Sequence, residues 1–194
     1  TIEKYGVTTL FASPALVDVL AQYGASTGKR LTTVKRVISA GAPVTPKVVQ
    51  RLRSMLPDDA QIFTPYGATE CLPVCAIEGR EILALAERTN RGEGICVGKP
   101  LPANQVRLIK VSDEVVDAFL PENEVVPGGI GEIVVCGPTT TEAYFARATA
   151  TRLAKIRHDG RVWHRMGDVG YFDAQGRLWY VGRKVHRVET GNGV

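Results

Sequence analysis

Apolar positions in the first third of the chain alternate between two periods, and the alternation predicts strand-helix units in series. Val7-Thr8-Thr9-Leu10-Phe11-Ala12 is a short apolar and branched run that reads as a strand. Ser13-Pro14 then supplies an N-cap with proline at the first helical position. Leu16, Val17, Leu20 and Ala21 fall on one helical stripe, and Gly24 is expected to stop that helix before a polar loop through Lys29. Val34 to Ser39 reads as a second strand, reached by a connection long enough for a parallel crossover. Thr45-Pro46 caps a helix carrying Val48, Val49, Leu52, Met55 and Leu56 on one stripe until Pro57. Gln61 to Thr64 is a third strand running into Pro65-Tyr66-Gly67-Ala68-Thr69-Glu70, and 81–91 suggests a short helix closed by Gly92 and Gly94. Residues 1–6 read as a helix cut in its middle, so the chain is expected to be a fragment.

The pattern changes after Gly98-Lys99-Pro100-Leu101-Pro102. Gln105 to Ile109 and Gly131 to Cys136 are short strands, Val116 to Gly129 reads as an exposed turn-rich loop, and Thr149 to Ile156 as a brief helix. Tyr171-Phe172 and Leu178-Trp179-Tyr180-Val181 flank Asp173-Ala174-Gln175-Gly176, a hairpin whose loop ends in a glycine able to take positive φ. Folding it brings the outer ends together, so Asp168 and Arg183 can face one small polar ligand. Taken alone, the stretch fits better as a solvated hairpin with charged ends.

Composition narrows the function classes. With 44% apolar and 23% charged residues in 194, the chain has an ordinary soluble globular composition. No apolar run approaches the roughly 20 residues of a membrane span, no basic-then-apolar leader opens the chain, and a cytoplasmic location is expected. The net charge of +4 is dispersed rather than gathered with aromatics, which argues against nucleic acid as a partner. Cys71, Cys75, Cys96 and Cys136 form no paired C-x-x-C units and lie far from His158, His164 and His186, so free thiols are expected rather than a zinc site.

Successive strand-helix units place their loops at the C-terminal edge of a parallel sheet, where such sheets bind ligands. Ser39 to Pro43 is small enough for backbone to approach a flat ring, or is simply a tight turn. Tyr66 to Glu70 offers an aromatic face, a hydroxyl and a carboxylate within five residues, or else a turn leading to a helix cap.

Three motifs in order resemble those of the adenylate-forming enzymes, the family of acyl-CoA synthetases, luciferases and peptide-synthetase adenylation domains. Gly41-Ala42-Pro43 resembles the adenine-contacting loop, and Tyr66-Gly67-Ala68-Thr69-Glu70 keeps every fixed position of Tyr-Gly-x-Thr-Glu. Met166-Gly167-Asp168 and Gly182-Arg183 resemble Thr-Gly-Asp and Gly-Arg on either side of the hairpin. The resemblance implies an α/β fold, a fragment of the large N-terminal domain: a parallel α/β unit over 1–97, a β-rich, distorted-barrel subdomain over 98–182, and from 183 to 194 the start of a hinge to a missing C-terminal domain. It implies that Gly41, Ala42, Pro43, Tyr66, Gly67, Thr69, Asp168 and Arg183 bind ATP or AMP. Tyr66 would stack on adenine, and Asp168 and Arg183 would hold the ribose. Thr69 and Glu70 would be the catalytic residues, Thr69 on the α-phosphate and Glu70 as the magnesium ligand. The phosphate loop and catalytic lysine of the family would lie outside the chain on either side. Met166 replaces the usual threonine, and Val185 the usual hinge Asp or Lys.

The wording His164-Arg165-Met166-Gly167-Asp168 and the ending from Gly182 to Thr190 look closest to the bacterial olefin-biosynthesis branch, which is similar to fatty acid-CoA ligases and β-lactone synthetases. A fatty, β-hydroxylated acid is then the expected substrate, CoA the alternative nucleophile, and other olefin-biosynthesis enzymes the expected partners. A non-catalytic nucleotide-binding module is the competing expectation.

Overall fold

The computed structural model describes residues 1–188, in two compact units: one of Thr1–Pro65 with Ala76–Gly92, the other of Tyr66–Cys75 with the residues from Glu93 on. Of the expected hinge, residues 189–194 lie outside the described residues.

The first unit opens on a single 3-10 turn, Glu3–Tyr5, in place of the truncated helix expected there. Strand β1 (Thr9–Ala12), helix α1 (Pro14–Thr27), strand β2 (Arg36–Ser39), helix α2 (Pro46–Met55) and strand β3 (Gln61–Ala68) follow in order. The strands pair in parallel, Leu10 opposite Val37 and Val37 opposite Ile62. Both helices start as their sequences dictate: the Ser13 and Thr45 hydroxyls accept from the Leu16 and Val48 N–H groups, with proline at the first helical turn. Gly24 does not stop α1. The helix runs on to Thr27 and closes at Gly28, whose φ of 67° is the left-handed cap. Gly24 is instead buried where the Met55 side chain of α2 occupies the space a Cβ would need. Strand β4 (Cys71–Glu78) was not foreseen, and it leads to two helices, α3 (Gly79–Ala84) and α4 (Ala86–Asn90), where one was expected. Val17, Ala21, Val49, Leu52, Met55, Leu56 and Ile62 form the core of this unit.

The second unit is antiparallel. Strands β5 (Ile95–Pro100), β6 (Gln105–Ile109) and β7 (Gly131–Cys136) precede helix α5 (Ala148–Ala154), and β8 (Lys155–His158), β9 (Arg161–Phe172) and β10 (Leu178–Arg183) follow. The order is β5-β10-β9-β7-β6, with β8 also paired to β9. One core gathers Cys71, Val74, Cys75, Ile133, Val135, Met166 and Leu178, and another Ile109, Val134, Ile156 and Trp163. The 116–129 segment is not wholly exposed as expected. Val116 is buried in that second cluster, and Phe119 packs edge-on against Trp163 with ring centres 5.0 Å apart. All four cysteines are free thiols, three of them buried. Among the described residues no helix is long and apolar enough to cross a membrane.

Candidate active site

The β9–β10 hairpin fixes its own register at the tip. Asp173 Oδ1 accepts from the Gln175 and Arg177 N–H groups, both at 3.0 Å, while Oδ2 accepts from Arg177 Nε at 2.8 Å and Trp179 Nε1 at 2.9 Å. Burial pushes this carboxyl up, but the bonds from Trp179, Arg177 and Gln175 outweigh it and hold the pKa at about 2. Gly176 closes the turn at φ 72°. From there the strands pair Leu178 with Phe172 and Trp179 with Tyr171, pass an irregularity between Tyr180 and Gly182, and end with Arg183 opposite Asp168. The two outer ends meet, as the hairpin geometry required: Arg183 Nη1 stands 3.1 Å from Asp168 Oδ1.

Asp168 is 5% exposed and engages a third predicted residue. The Tyr66 hydroxyl donates to Asp168 Oδ2 at 2.7 Å. Oδ1 is buried without a hydrogen-bond donor among the described residues, since Arg183 Nη1 approaches it as an ion pair out of hydrogen-bond alignment. Burial raises the Asp168 pKa, and the Tyr66 bond and Arg183 charge offset this only partly. Burial also raises the Tyr66 phenol, reinforced by the Asp168 charge, so the hydroxyl remains a donor. A buried acceptor with spare capacity beside a cation can accept a hydrogen bond from a hydroxyl group.

Tyr66 to Glu70 is neither an open loop nor the start of a helix. Tyr66, Gly67 and Ala68 continue β3, and Thr69-Glu70 alone turn the chain into β4. The hairpin is tight because Gly67 has no side chain: a Cβ there would lie 2.6 Å from the Cys71 carbonyl oxygen. Thr69 is exposed at the turn. Glu70 is half-buried, its carbonyl accepting from Thr141 N–H at 2.8 Å and its Oε1 from the Tyr144 hydroxyl at 2.6 Å. The Tyr144 bond is the main cause of a lowered Glu70 pKa, with the Glu70 backbone N–H, His164 and Lys155 adding to it against the effect of burial.

Tyr144, Lys155 and His164 around Glu70 were missed in the sequence. Lys155 is 6% exposed, its Nζ donating to Thr141 Oγ1 at 3.0 Å, and burial lowers its pKa. His164, with Nδ1 3.2 Å from the Ala154 carbonyl, is pushed down to about 4, first by burial and then by Lys155. A signal for this pair existed. Asp159-Gly160 takes φ of 50° and 69°, a two-residue hairpin turn of the kind Asp-Gly favours, and it sets Lys155 opposite His164.

Gly41, Ala42 and Pro43 lie in the first unit, just past the end of β2, and all three are exposed. Gly41 has φ 99°, a conformation that requires glycine. The predicted residues of the second unit therefore gather in two places, Tyr66 with Asp168 and Arg183, and Thr69 with Glu70 at the β3–β4 turn.

A family model described as AMP-binding enzyme matches residues 1–145. The chain belongs to the AMP-binding enzyme family. Among its relatives in that family is the olefin beta-lactone synthetase of Xanthomonas campestris pv. campestris, 55% identical over 98% of this chain and 34% of the relative. The fold is also that of the amide bond synthetase McbA from Marinactinospora thermotolerans, with a TM-score of 0.76 and 26% identity over 100% of this chain and 35% of that protein. O-succinylbenzoate coenzyme A synthetase (MenE) from Bacillus subtilis, solved in complex with ATP and magnesium ion, shares the fold with a TM-score of 0.71 and 22% identity, over 98% of this chain and 34% of that protein. The chain thus spans about a third of the length of these proteins.

Proposed function

We propose that this chain is the nucleotide-holding part of an ATP-dependent ligase that converts a carboxylic acid to its acyl-adenylate. The observation that carries this is Asp168 Oδ1, buried without a donor and 3.1 Å from Arg183 Nη1. A ribose hydroxyl can donate to that oxygen while Arg183 neutralises the carboxylate or reaches a phosphate. Tyr66 fixes Asp168 through its hydroxyl and offers its ring to adenine. Thr69, exposed at the turn, would donate to the α-phosphate, and the tightness of the turn depends on Gly67.

Glu70 fits a magnesium ligand. Its Oε1 is taken by the Tyr144 hydroxyl, and no other side chain among the described residues donates to its carboxylate. No group of three or more His, Cys, Asp or Glu suited to a metal occurs among those residues. That agrees with a cation held by one carboxylate and the substrate's own phosphates, as magnesium commonly is. When bound, the ion would neutralise charge on the phosphates during displacement. The substrate carboxylate oxygen attacks the α-phosphorus, the bond to the bridging oxygen breaks, and pyrophosphate leaves. Thr69 contributes by positioning and hydrogen bonding.

The 55% identity to an olefin beta-lactone synthetase supports a β-hydroxylated fatty acid as substrate. Its β-hydroxyl oxygen would then attack the acyl carbon, losing its proton and expelling AMP to close a four-membered lactone. A cytoplasmic enzyme acting beside other olefin-biosynthesis enzymes is the corresponding setting. The test supplies the complete protein with Mg·ATP and a long-chain 2-alkyl-3-hydroxy acid, with and without CoA, and reads pyrophosphate and product mass. A lactone without CoA is expected, and Asp168→Ala or Glu70→Ala is expected to abolish pyrophosphate release. A CoA thioester would replace lactone closure by thioester formation, and undiminished release in both variants would overturn the nucleotide assignment.

A further inference from the structure

Glu70 is gripped at both ends by one short segment. Thr141 N–H holds its backbone carbonyl at 2.8 Å, and the Tyr144 hydroxyl holds Oε1 at 2.6 Å. That segment is itself braced. Tyr144 N–H donates to Thr151 Oγ1 in the first turn of α5 at 3.0 Å, and Lys155 Nζ on β8 donates to Thr141 Oγ1 while lying 5.9 Å from the centre of the Tyr144 ring. The Tyr144 hydroxyl contributes no apolar packing. What it does is remove rotamer freedom from a half-buried glutamate and leave only Oε2 without a side-chain donor among the described residues.

We propose that Tyr144 is the positioning residue for Glu70, selecting the carboxylate orientation that presents Oε2 to a divalent cation. The inference rests on Glu70 being the metal ligand and extends the site to a residue that none of the three motifs contains. Partners that orient a ligating carboxylate typically change metal affinity by about 10- to 100-fold when removed. A single hydroxyl on a half-buried ring belongs at the lower end.

The experiment titrates Mn²⁺ into the metal-stripped complete protein with a non-hydrolysable ATP analogue present, reading free Mn²⁺ by electron paramagnetic resonance. Tyr144→Phe is expected to weaken Mn²⁺ binding about 10-fold. Its affinity for the analogue in EDTA should not move, because only the hydroxyl that holds Glu70 is removed. Glu70→Gln is expected to lose the tight Mn²⁺ site altogether. Wild-type Mn²⁺ affinity in Tyr144→Phe, with loss in Glu70→Gln, would overturn the positioning role alone. Wild-type affinity in Glu70→Gln would overturn the metal-ligand reading and the inference with it. A parallel loss of analogue binding in EDTA by Tyr144→Phe would mean a general disturbance of the site and would also overturn the proposal.

Discussion

Asp173 accepts hydrogen bonds from Gln175, Arg177 and Trp179 at the tip of the β9–β10 hairpin, and through register it decides that Arg183 meets Asp168 at the outer ends of the strands. Its pKa of about 2 in the folded protein lies below the 3.8 of an unperturbed aspartate. The folded state therefore binds its proton more weakly, so the stabilisation is complete above the unfolded pKa and disappears as pH falls from about 4 to about 2. A shift of this size corresponds to roughly 2 kcal/mol. Asp173→Asn turns an amide toward Arg177 Nε and Trp179 Nε1, and should cost about that much at pH 7. Urea unfolding at pH 7, 4 and 2.5 checks it: the gap between wild type and variant should be full at pH 7 and largely closed at pH 2.5. At this scale the meeting of Asp168 and Arg183 was legible, because strand length and turn length alone decide which residues face each other. The bond from Tyr66 to Asp168 was not, since 102 residues separate them and no local rule joins them.

The β3–β4 hairpin shows where element rules mislead. Strand β4 holds Pro73 and a burial pattern that departs from strict alternation, so neither period reveals it, and the Tyr66–Glu70 motif then looks like a loop. Gly24 looks like a helix stop for a similar reason. Its absence of a side chain serves the crossing of α1 and α2, a tertiary requirement invisible to a local pattern. Where caps decide, as at Ser13-Pro14 and Thr45-Pro46, the local signal was sufficient. Gly67 has a close-approach role of the same kind: a Cβ would meet the Cys71 backbone oxygen at 2.6 Å and Leu72 Cδ1 at 2.7 Å. Backbone cannot step aside cheaply, so Gly67→Ala should destabilise by about 1–3 kcal/mol and open the turn that carries Thr69 and Glu70. Gly182→Ala is the contrast, because nothing lies within 4 Å of its Cβ position and its φ is not left-handed. It should change stability by less than about 0.5 kcal/mol. Thermal melts of the two variants, with the Mn²⁺ titration repeated on Gly67→Ala, separate a shape requirement at 67 from mere motif membership at 182.

At the scale of the molecule, the second unit is tied together by a buried charge cluster that the sequence does not announce. Glu132 on β7 is fully buried, and Arg165 on β9 engages both its oxygens, Nε to Oε1 at 3.2 Å and Nη2 to Oε2 at 2.6 Å. Arg165 also donates to the Glu114, Leu153 and Ser112 carbonyls, so one guanidinium joins two strands, a loop and the end of α5. Lys184, directly after Arg183, reaches Glu132 Oε1 at 3.3 Å from the edge and anchors the turn Lys184–His186. Gly131 to Cys136 was legible as a strand and Arg165 as part of a motif, but β7 and β9 are far apart in sequence and only the folded register brings them together. Removing one partner of a buried pair strands the other. Arg165→Met should therefore lower unfolding free energy by about 3–5 kcal/mol, with Lys184 compensating too little to rescue Glu132 and the three carbonyls. Lys184→Met leaves Glu132 fully engaged by Arg165, and should cost no more than about 1 kcal/mol. Denaturant unfolding of both variants distinguishes the roles. Equal losses would mean that Lys184 is as much a part of the core as Arg165; the expected inequality makes Arg165 the structural tie and Lys184 a peripheral partner of Glu132.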